Sequence, residues 1–225
     1  MSAGLTLVAT PIGNLSDLSP RAGQALQQAE FWIVEDTRVS ARLQAHLKIK
    51  RPMRVLNDHS TPETLQRLTK EIQAGKQAAL VTDAGTPGIS DPGAALVDSC
   101  WQAGIPVDSI PGPSAVTLAL ALSGFYAQRF AFLGFLPRKG GGAQQELANF
   151  KESTMTLVLF ESAQRMEKLL ETAHQALGPR RYALCRELTK LHQQILRSKL
   201  PQIPTEQEFP RKGELTLVIE GRRKS

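Results

Sequence analysis

The chain has 225 residues, of which 41% are hydrophobic and 21% are charged, and its formal net charge is +6. This length supports a core in one large domain or two small ones, and the composition excludes a disordered or fibrous protein. No apolar run approaches the ~20 residues of a membrane-spanning helix, and the N-terminus lacks a secretory signal, so we expect a cytoplasmic protein. The positive charge favours a polyanionic partner such as nucleic acid.

Apolar runs and helix-start signals alternate along the first half of the chain. Strands are predicted at residues 5–9, 31–34, 53–56, 78–82 and 107–110. Helices are predicted to begin at Pro20, with Ser19 as the N-cap, at Pro62 and at Gly93. This alternation predicts a parallel sheet whose strands are joined by helical crossovers.

The pattern changes after a helix of small residues predicted at 115–123. Further strands are predicted at 130–135, 156–160, 182–186 and 214–220, with helices at 143–150 and 163–177. A flexible basic loop is predicted at 136–142, where three glycines follow an Arg-Lys pair. We therefore predict an α/β protein of two domains, residues 1–117 and 118–225.

Four strands of the first half run into loops rich in turn or charged residues. The loops read T-P-I-G-N, E-D-T-R, D-A-G-T-P-G-I-S-D-P-G and I-P-G-P-S. Ligands of open α/β sheets bind outside the carboxyl ends of the strands, where these loops fall. In the longest loop, glycines allow close backbone approach, and Asp83 and Asp91 can accept hydrogen bonds from ribose hydroxyls or an ammonium group. A strand-to-helix connection without a ligand is the alternative.

Several common sites are not supported by the sequence. The chain contains no G-x-G-x-x-G, no G-x-x-x-x-G-K-[ST] and no G-x-S-x-G, and its four histidines have no evident triad spacing. These gaps weigh against nicotinamide binding, nucleoside triphosphate binding and a nucleophilic hydrolase. Cys100 and Cys185 are the only cysteines, and we expect buried thiols with no metal site or disulfide.

Eight segments, in order and spread over nearly the whole chain, carry a family resemblance. They are T-P-I-G-N-L (10–15), E-D-T-R (35–38), D-A-G-T-P-G-I-S-D-P-G (83–93), P-G-P-S-A (111–115), G-F-L-P-R-K-G (134–140), F-E-S-A-Q-R (160–165), R-E-L-T-K (186–190) and R-K-G-E (211–214). Together they resemble the ribosomal RNA small subunit methyltransferase I family, which belongs to the tetrapyrrole-methylase structural class. The resemblance implies an S-adenosylmethionine-dependent enzyme that methylates the ribose 2′-hydroxyl of a cytidine in small-subunit ribosomal RNA.

The same resemblance implies two α/β domains of the tetrapyrrole-methylase type, with S-adenosylmethionine in the cleft between them, and a homodimer that acts on the RNA or the assembled small ribosomal subunit. The implied cofactor contacts in the first domain, with the first residue of the following helix, are Pro11, Ile12, Asp83, Ala84, Gly85, Thr86, Ile89, Ser114 and Ala115. From the second domain they are Phe160, Leu188 and Gly213. A carboxylate such as Asp83 is expected to face the cofactor's ammonium group. A structural turn is the alternative role for each single residue.

The charged segments supply candidates for the chemistry. A ribose hydroxyl is a poor nucleophile near neutral pH, so a base or a nearby cation would help methyl transfer. The candidates are Glu35, Asp36, Arg38, Glu161, Arg165, Arg186, Glu187 and Lys190. We expect a carboxylate of this set to be the base, with Arg38 and Lys190 positioning phosphate or polarising the hydroxyl. A structural ion pair is the alternative role for each acid.

The loop that contains the glycine triplet is expected to cover RNA backbone. Arg129, Arg138 and Lys139 flank the triplet, and Arg and Lys contact phosphates without reading sequence. Solvated surface charge is the alternative.

Two features depart from the family pattern. Asn57-Asp58-His59 stands where the family usually has two histidines around an acidic residue, and the sequence does not include the family's common basic helical extension after the last strand. Two other functions remain open: a small-molecule methylase acting on a tetrapyrrole, and a catalytically silent module that binds the cofactor or RNA.

Overall fold

The computed structural model describes residues 4–138 and 141–223, which divide after Ser114 into two compact units, each with its own five-stranded sheet. The strands are β1 Gly4–Val8, β2 Phe31–Val34, β3 Met53–Val55, β4 Gln77–Val81, β5 Val107–Ile110, β6 Phe130–Phe135, β7 Thr156–Ser162, β8 Arg181–Arg186, β9 Gln194–Lys199 and β10 Glu214–Ile219. The helices are α1 Pro20–Gln28, α2 Thr37–Leu47, α3 Pro62–Gln73, α4 Gly93–Gln102, α5 Ala115–Ser123, α6 Gly142–Ala148 and α7 Met166–Leu177. The boundary predicted after residue 117 falls inside α5, whereas the structure divides before this helix.

The first unit is a parallel sheet with helical crossovers, as the alternating pattern predicted, and its helices lie on both faces. Its strand order is β3-β2-β4-β1-β5 and every pairing is parallel. Helices α1 and α2 pack on one face with Trp32, and α3 and α4 pack on the other with Ile33, because successive side chains of a strand point to opposite faces. Strands β1 and β4 are neighbours, and the helix after β1 packs on one face of the sheet while the helix after β4 packs on the other, so the two connections leave on opposite faces. Such a switch point opens a crevice at the carboxyl ends of the strands.

Helix α2 was not predicted, because its first residues were interpreted only as a charged loop. Asp36 is its N-cap, and the Asp36 carboxylate accepts a hydrogen bond from the Arg38 backbone N–H at 2.8 Å. The apolar residues Val39, Leu43 and Leu47 follow at helical spacing, which is the signal that was available. By contrast, α1 begins as predicted, with the Ser19 hydroxyl accepting from the Ala22 N–H at 3.1 Å.

The second unit has a mixed sheet of order β6-β7-β10-β8-β9, in which only the β6–β7 pair is parallel. Helices α6 and α7 cover one face, where Leu170, Tyr182 and Phe209 lie in the core. Strand β9 was not predicted. It pairs only with β8 at the edge of the sheet, and its sequence Q-I-L-R-S-K shows no clean apolar alternation.

Other expectations concern burial. Cys100 and Cys185 are both buried, as predicted. Within the described ranges no helix is both long and apolar enough to span a bilayer. The predicted basic loop is covered only in part, since Lys139 and Gly140 lie outside the described residues.

Candidate active site

Hydrogen bonds join three of the predicted loops at the carboxyl edge of the first unit's sheet. Thr10 and Gly85 exchange backbone hydrogen bonds, with N···O distances of 2.8 and 3.1 Å. The Thr10 hydroxyl also donates to the Thr82 carbonyl at 3.2 Å, and the Thr86 hydroxyl donates to the Pro113 carbonyl at 3.3 Å. The loops after β1, β4 and β5 therefore form one connected surface, called here the rim.

Gly85 is required at the rim by its backbone conformation. Its φ of +89° is disfavoured for residues with a side chain. A Cβ built at this position would lie 3.5 Å from Ile12 Cγ2 and 3.7 Å from the Pro113 oxygen, so the site is bordered by all three loops. Pro11, Ala84 and Ile89 lie in the same loops, with Ile89 exposed, and Ser114 ends the loop after β5, whereas Ala115 is the first residue of α5 in the second unit. The structure thus joins the three first-unit loops that carry predicted cofactor contacts, and the contacts themselves stay predictions.

Glu35 is a half-buried carboxylate beside this surface. It lines a small recess with Thr82, Asp91 and Gly93. Burial raises the pKa of Glu35, and the nearby carboxylates Asp83, Asp91, Asp58 and Asp36 raise it further. Among the described residues no Lys, Arg or His forms an ion pair with Glu35. This carboxylate therefore holds a proton more tightly than a solvated one does.

Two aspartates of the long loop share this environment. Burial raises the pKa of Asp83, although its Oδ1 accepts a hydrogen bond from the Asp36 backbone N–H at 3.3 Å. Burial also raises the pKa of Asp91, against the effect of a hydrogen bond with Thr82. Among the described residues Glu35, Asp83 and Asp91 form no salt bridge, although Arg38 acts on Asp83 at longer range. The net negative charge favours a ligand with cationic groups and hydroxyl donors.

Asp36 differs from its neighbour in sequence. Its carboxylate accepts from the Arg38 backbone N–H, and its Oδ2 lies 2.5 Å from Arg38 Nη2. These hydrogen bonds from Arg38 lower the pKa of Asp36 to about 2. Asp36 therefore has little affinity for a proton at neutral pH and acts as a helix cap, whereas the raised pKa of Glu35 gives it a higher proton affinity than a solvated carboxylate.

The raised pKa of Glu35 predicts a specific effect on stability. Because the folded state binds this proton more tightly than the unfolded state, ionised Glu35 destabilises the fold once the pH exceeds the ordinary value of 4.5. We expect Glu35→Gln to raise Tm at pH 7 by a small amount, within about 4 °C for a chain of this length. The gain should shrink as the pH falls and wild-type Glu35 takes up its proton. Calorimetry from pH 4 to pH 8 measures this difference.

Glu63→Gln is the matched control for that prediction. Glu63 is exposed, and a hydrogen bond from the Thr61 hydroxyl lowers its pKa, so its ionised form stabilises the fold above the ordinary value. Its replacement should not raise Tm at pH 7. Equal Tm gains in the two variants would show that Glu35 has no special environment.

In the second unit, Glu161 and Arg165 form an ion pair with each other. Glu161 is 5% exposed and accepts hydrogen bonds from the Ser162 backbone N–H at 2.8 Å and from its hydroxyl at 3.3 Å. Arg165 Nη2 lies 3.4 Å from Glu161 Oε2. These contacts match the structural ion-pair role, and a catalytic role for either residue stays a prediction.

Arg186 is buried and holds the loop that follows β8. Its guanidinium donates to the carbonyls of His192 at 3.2 Å and Lys212 at 3.5 Å, and to Gln194 Oε1 at 3.4 Å. Leu188 is buried in the same loop. Arg186 thereby fixes the backbone around the predicted residues 187–190 and 213.

Glu187 and Lys190 belong to a cluster of charges at this loop. Lys190 Nζ lies 3.1 Å from Glu187 Oε1 and 2.9 Å from Glu214 Oε2. Burial opposes the charge of both groups, but their hydrogen bonds outweigh it, so the pKa of Glu187 is lowered and that of Lys190 is raised. Gly213 has a φ of +90°, and a Cβ there would lie 2.8 Å from Glu187 Cδ. The R-E-L-T-K and R-K-G-E segments thus meet at this cluster, which keeps Lys190 charged at neutral pH.

The other predicted residues of the second unit lie elsewhere in its structure. The Phe160 ring packs edge-on to Phe132 at a centroid distance of 4.9 Å and lies 5.7 Å from Phe135. Arg129 and Arg138 are exposed, and Lys139 is not among the described residues. The contacts predicted for these residues with cofactor or RNA remain predictions.

Sequence reasoning gave no role to two side chains that shape the rim. Thr82 accepts from Thr10 through its carbonyl and pairs with Asp91 through its hydroxyl. Asp58 follows β3 and adds to the negative charge around Glu35. Their positions at strand ends were the available signal, since the carboxyl ends of parallel strands meet at one edge.

Comparison with known proteins adds to this geometry. Residues 4–204 match the family described as Tetrapyrrole (Corrin/Porphyrin) Methylases. A Thermotoga maritima protein named Ribosomal RNA small subunit methyltransferase I is 39% identical over 219 residues, which cover 97% of this chain and 98% of the relative. The protein of the same name from Haemophilus influenzae is 41% identical, with 98% of this chain and 80% of the relative covered. The chain belongs to the ribosomal RNA small subunit methyltransferase I family.

Solved structures of low sequence identity show the fold of this family member. The methyltransferase CobJ superimposes with a TM-score of 0.73 at 16% identity, covering 100% of this chain and 98% of that one. The uroporphyrin-III C-methyl transferase of Thermus thermophilus complexed with S-adenyl homocysteine gives a TM-score of 0.67 at 20% identity, with 96% of each chain covered. The predicted family and the predicted α/β fold of the tetrapyrrole-methylase type are therefore confirmed.

Proposed function

We propose that this family member transfers the methyl group of S-adenosylmethionine to the ribose 2′-hydroxyl of a cytidine in small-subunit ribosomal RNA. The observation that carries the proposal is its 39–41% identity, over almost the whole chain, to relatives named for methylation of that RNA. The tetrapyrrole enzymes of similar fold are only 16–20% identical, so they support the fold and not a tetrapyrrole substrate.

The rim residues fit S-adenosylmethionine as the cofactor. Asp83 and Asp91 offer acceptors for ribose hydroxyls or for an ammonium group, and the positive φ of Gly85 brings loop backbone next to Ile12. These carboxylates, which form no salt bridge among the described residues, favour a ligand that carries a sulfonium and an ammonium group. When bound, S-adenosylmethionine supplies an electrophilic methyl group and leaves as the neutral thioether. A T. thermophilus enzyme of the same fold was solved with S-adenyl homocysteine.

Glu35 is the base in this proposal. Its carboxylate takes the proton from the ribose 2′-oxygen as that oxygen forms its bond to the methyl carbon, so a neutral hydroxyl becomes a neutral ether. Its raised pKa brings the basicity of Glu35 closer to neutral pH, which favours proton transfer. Asp36 holds Arg38, whose side chain is 88% exposed and available to an RNA phosphate. Lys190 keeps its charge for the same purpose.

The proposal includes the partners and the location expected from the resemblance. The acceptor is small-subunit ribosomal RNA or the assembled subunit in the cytoplasm, and Arg129, Arg138 and Lys139 contact its backbone. The active form is a homodimer. Its support is the edge strand β6, where residues Phe130 and Phe135 are 41% and 62% exposed, since exposed aromatic residues on an edge strand favour association.

Transfer of labelled methyl from S-adenosylmethionine tests the function. The acceptors compared are unmodified small ribosomal subunits, naked small-subunit ribosomal RNA and a tetrapyrrole precursor, and each labelled RNA is digested to locate the methylated nucleoside. We expect label in the ribose of one cytidine. Label only in the tetrapyrrole would support the small-molecule methylase, whereas cofactor binding without transfer to any acceptor would support the silent module.

A further inference from the structure

The charge of the chain is concentrated in its second unit. Residues 115–225 contain 17 Lys and Arg against 10 acidic residues, whereas residues 1–114 contain 10 against 11. The formal charges are therefore +7 and −1. A polyanion is therefore attracted more strongly to the second unit than to the first, whose rim is itself acidic.

Six of these 17 basic residues line one concave surface, which we call the basic groove. It is formed by the segment after α6, the residues between α7 and β8, the end of β9 and the residues after β10. Its basic residues are Lys151, Arg180, Arg181, Lys199, Arg222 and Arg223. Glu152 and Glu220 are its only acidic residues. The groove thus holds a clear excess of positive charge.

The buried Arg180 side chain connects the segments that form the basic groove. It is 9% exposed, and its guanidinium donates to the carbonyls of Leu177 at 3.4 Å, Glu220 at 3.4 Å and Lys151. The described residues place no carboxylate in contact with it. One buried cation therefore connects the C-terminus of α7, the end of β10 and the segment after α6, and its guanidinium is held by carbonyl oxygens, with the Glu220 carboxylate acting on it at longer range.

Glu220 and two aromatic rings hold the guanidinium groups at the wall of the groove. Glu220 accepts from Arg181 at 2.6 and 2.7 Å and from Arg223 at 3.1 Å. The Arg181 guanidinium also lies 5.4 Å from the centroid of Phe125, and that of Arg223 lies 5.1 Å from Tyr126. The ring contacts and the Glu220 carboxylate thus hold the guanidinium groups of Arg181 and Arg223 in fixed orientations. The planar shape of a guanidinium suits hydrogen bonding to phosphate oxygens.

Lys151 and Lys199 provide the accessible charge. Both are exposed, and within residues 4–138 and 141–223 neither ammonium group forms an ion pair. Arg222, by contrast, pairs with Glu152. The two lysines come from different segments of the groove lining, so an extended anion can contact both, whereas a single small anion has no enclosed pocket here.

We propose that the basic groove binds the phosphate backbone of the substrate RNA, through residues separate from those of the rim. This proposal rests on the proposed function, because it takes the RNA substrate as the polyanion. Lys and Arg contacts to phosphates position an RNA without reading its sequence. The groove therefore supplies affinity, and the choice of nucleotide is made elsewhere.

The test is a double charge reversal, Lys151→Glu with Lys199→Glu, compared with Lys50→Glu and Lys70→Glu. The control lysines are also exposed and without an ion pair among the described residues, but they lie in the first unit. Both doubles change the net charge equally. Binding to naked small-subunit ribosomal RNA is measured between 50 and 200 mM salt, with S-adenosylmethionine affinity measured alongside.

We expect the groove variant to lose at least tenfold in RNA affinity and to reduce the slope of log K against log[salt] by about 1.5, the effect of two lost phosphate contacts. Its affinity for S-adenosylmethionine should equal that of wild type. Equal losses in the two doubles, or no loss in the groove variant, would overturn the proposal.

Methyl transfer separates this proposal from the proposed function. If wild type methylates the RNA and both doubles bind it alike, only the groove assignment fails. If wild type binds RNA without methylating it, the proposed function fails, and the binding comparison still decides the groove. Absence of RNA binding by wild type would overturn both.

Discussion

Glu35→Gln is expected to lower kcat for methyl transfer by about 10²–10⁴-fold, the range that a general base contributes. Glutamine keeps the shape of the side chain but cannot take the proton of the ribose hydroxyl. The rate of the wild type should also fall as the pH decreases through the raised pKa of Glu35, and the variant should lack this dependence. Single-turnover transfer from labelled S-adenosylmethionine, measured from pH 5 to pH 9, provides both quantities.

Asp58→Asn is the matched control for Glu35→Gln. It removes one negative charge from the surroundings of Glu35, and Asp58 is exposed at the end of β3. If Glu35 acts as the base, Asp58→Asn should change kcat much less than Glu35→Gln does and should keep the acid limb of the profile. Similar losses in the two variants would mean that Glu35 contributes only negative charge to cofactor binding.

Gly85→Ala is expected to weaken S-adenosylmethionine binding about tenfold or more, with a smaller effect on kcat. A side chain at a φ of +89° introduces backbone strain of the order of 1–3 kcal/mol. Relief of that strain would displace the loop from Thr10, with which Gly85 exchanges two hydrogen bonds, and from Ile12. Calorimetric titration with S-adenosylmethionine or S-adenosylhomocysteine measures the change in Kd.

Gly75→Ala is the control for Gly85→Ala, because it introduces backbone strain at a position outside the rim. Gly75 has a φ of +97°, and no atom lies within 4 Å of a Cβ built there. The two substitutions therefore add the same side chain at similar backbone angles. Gly75→Ala should lower Tm without changing the Kd of the cofactor. Comparable Kd changes in the two variants would argue against a cofactor contact at Gly85.

The negative charge around Glu35 connects function with stability. Burial raises the pKa values of Glu35, Asp83 and Asp91, and neighbouring carboxylates raise them further, while Glu35 has no paired cation among the described residues. Active sites commonly retain such unfavourable arrangements because the ligand or the reaction uses them. A cationic cofactor relieves this repulsion on binding, so we expect the affinity for S-adenosylmethionine to increase as these groups ionise.

The strands of the first unit were predictable because strong local signals surround them. The apolar run between Glu30 and Glu35 placed β2 at its observed bounds, and Pro106 and Pro111 placed β5 between them. Where the local signal had two interpretations, the prediction was incomplete. Asp36-Thr37-Arg38 serves both as a charged loop and as the start of α2, and the interpretation as a loop concealed the helix. Strand β9 was missed because an edge strand needs no clean alternation.

The sequence by itself determined the α/β class, the parallel sheet of the first unit, the family and the loops of the rim, because each depends on periodicity or on an ordered set of motifs. Tertiary structure alone decided which charged groups meet. Glu35 and Asp36 are adjacent in sequence, yet their pKa values shift in opposite directions. Arg38 lowers the pKa of Asp36 to about 2, whereas burial and carboxylates that come from other segments of the sequence raise the pKa of Glu35. The basic groove likewise gathers residues from segments up to 72 positions apart, between Lys151 and Arg223. Electrostatic energies depend on the distances between charges and on their burial. Both are set when strands that are distant in the sequence pack together in the fold.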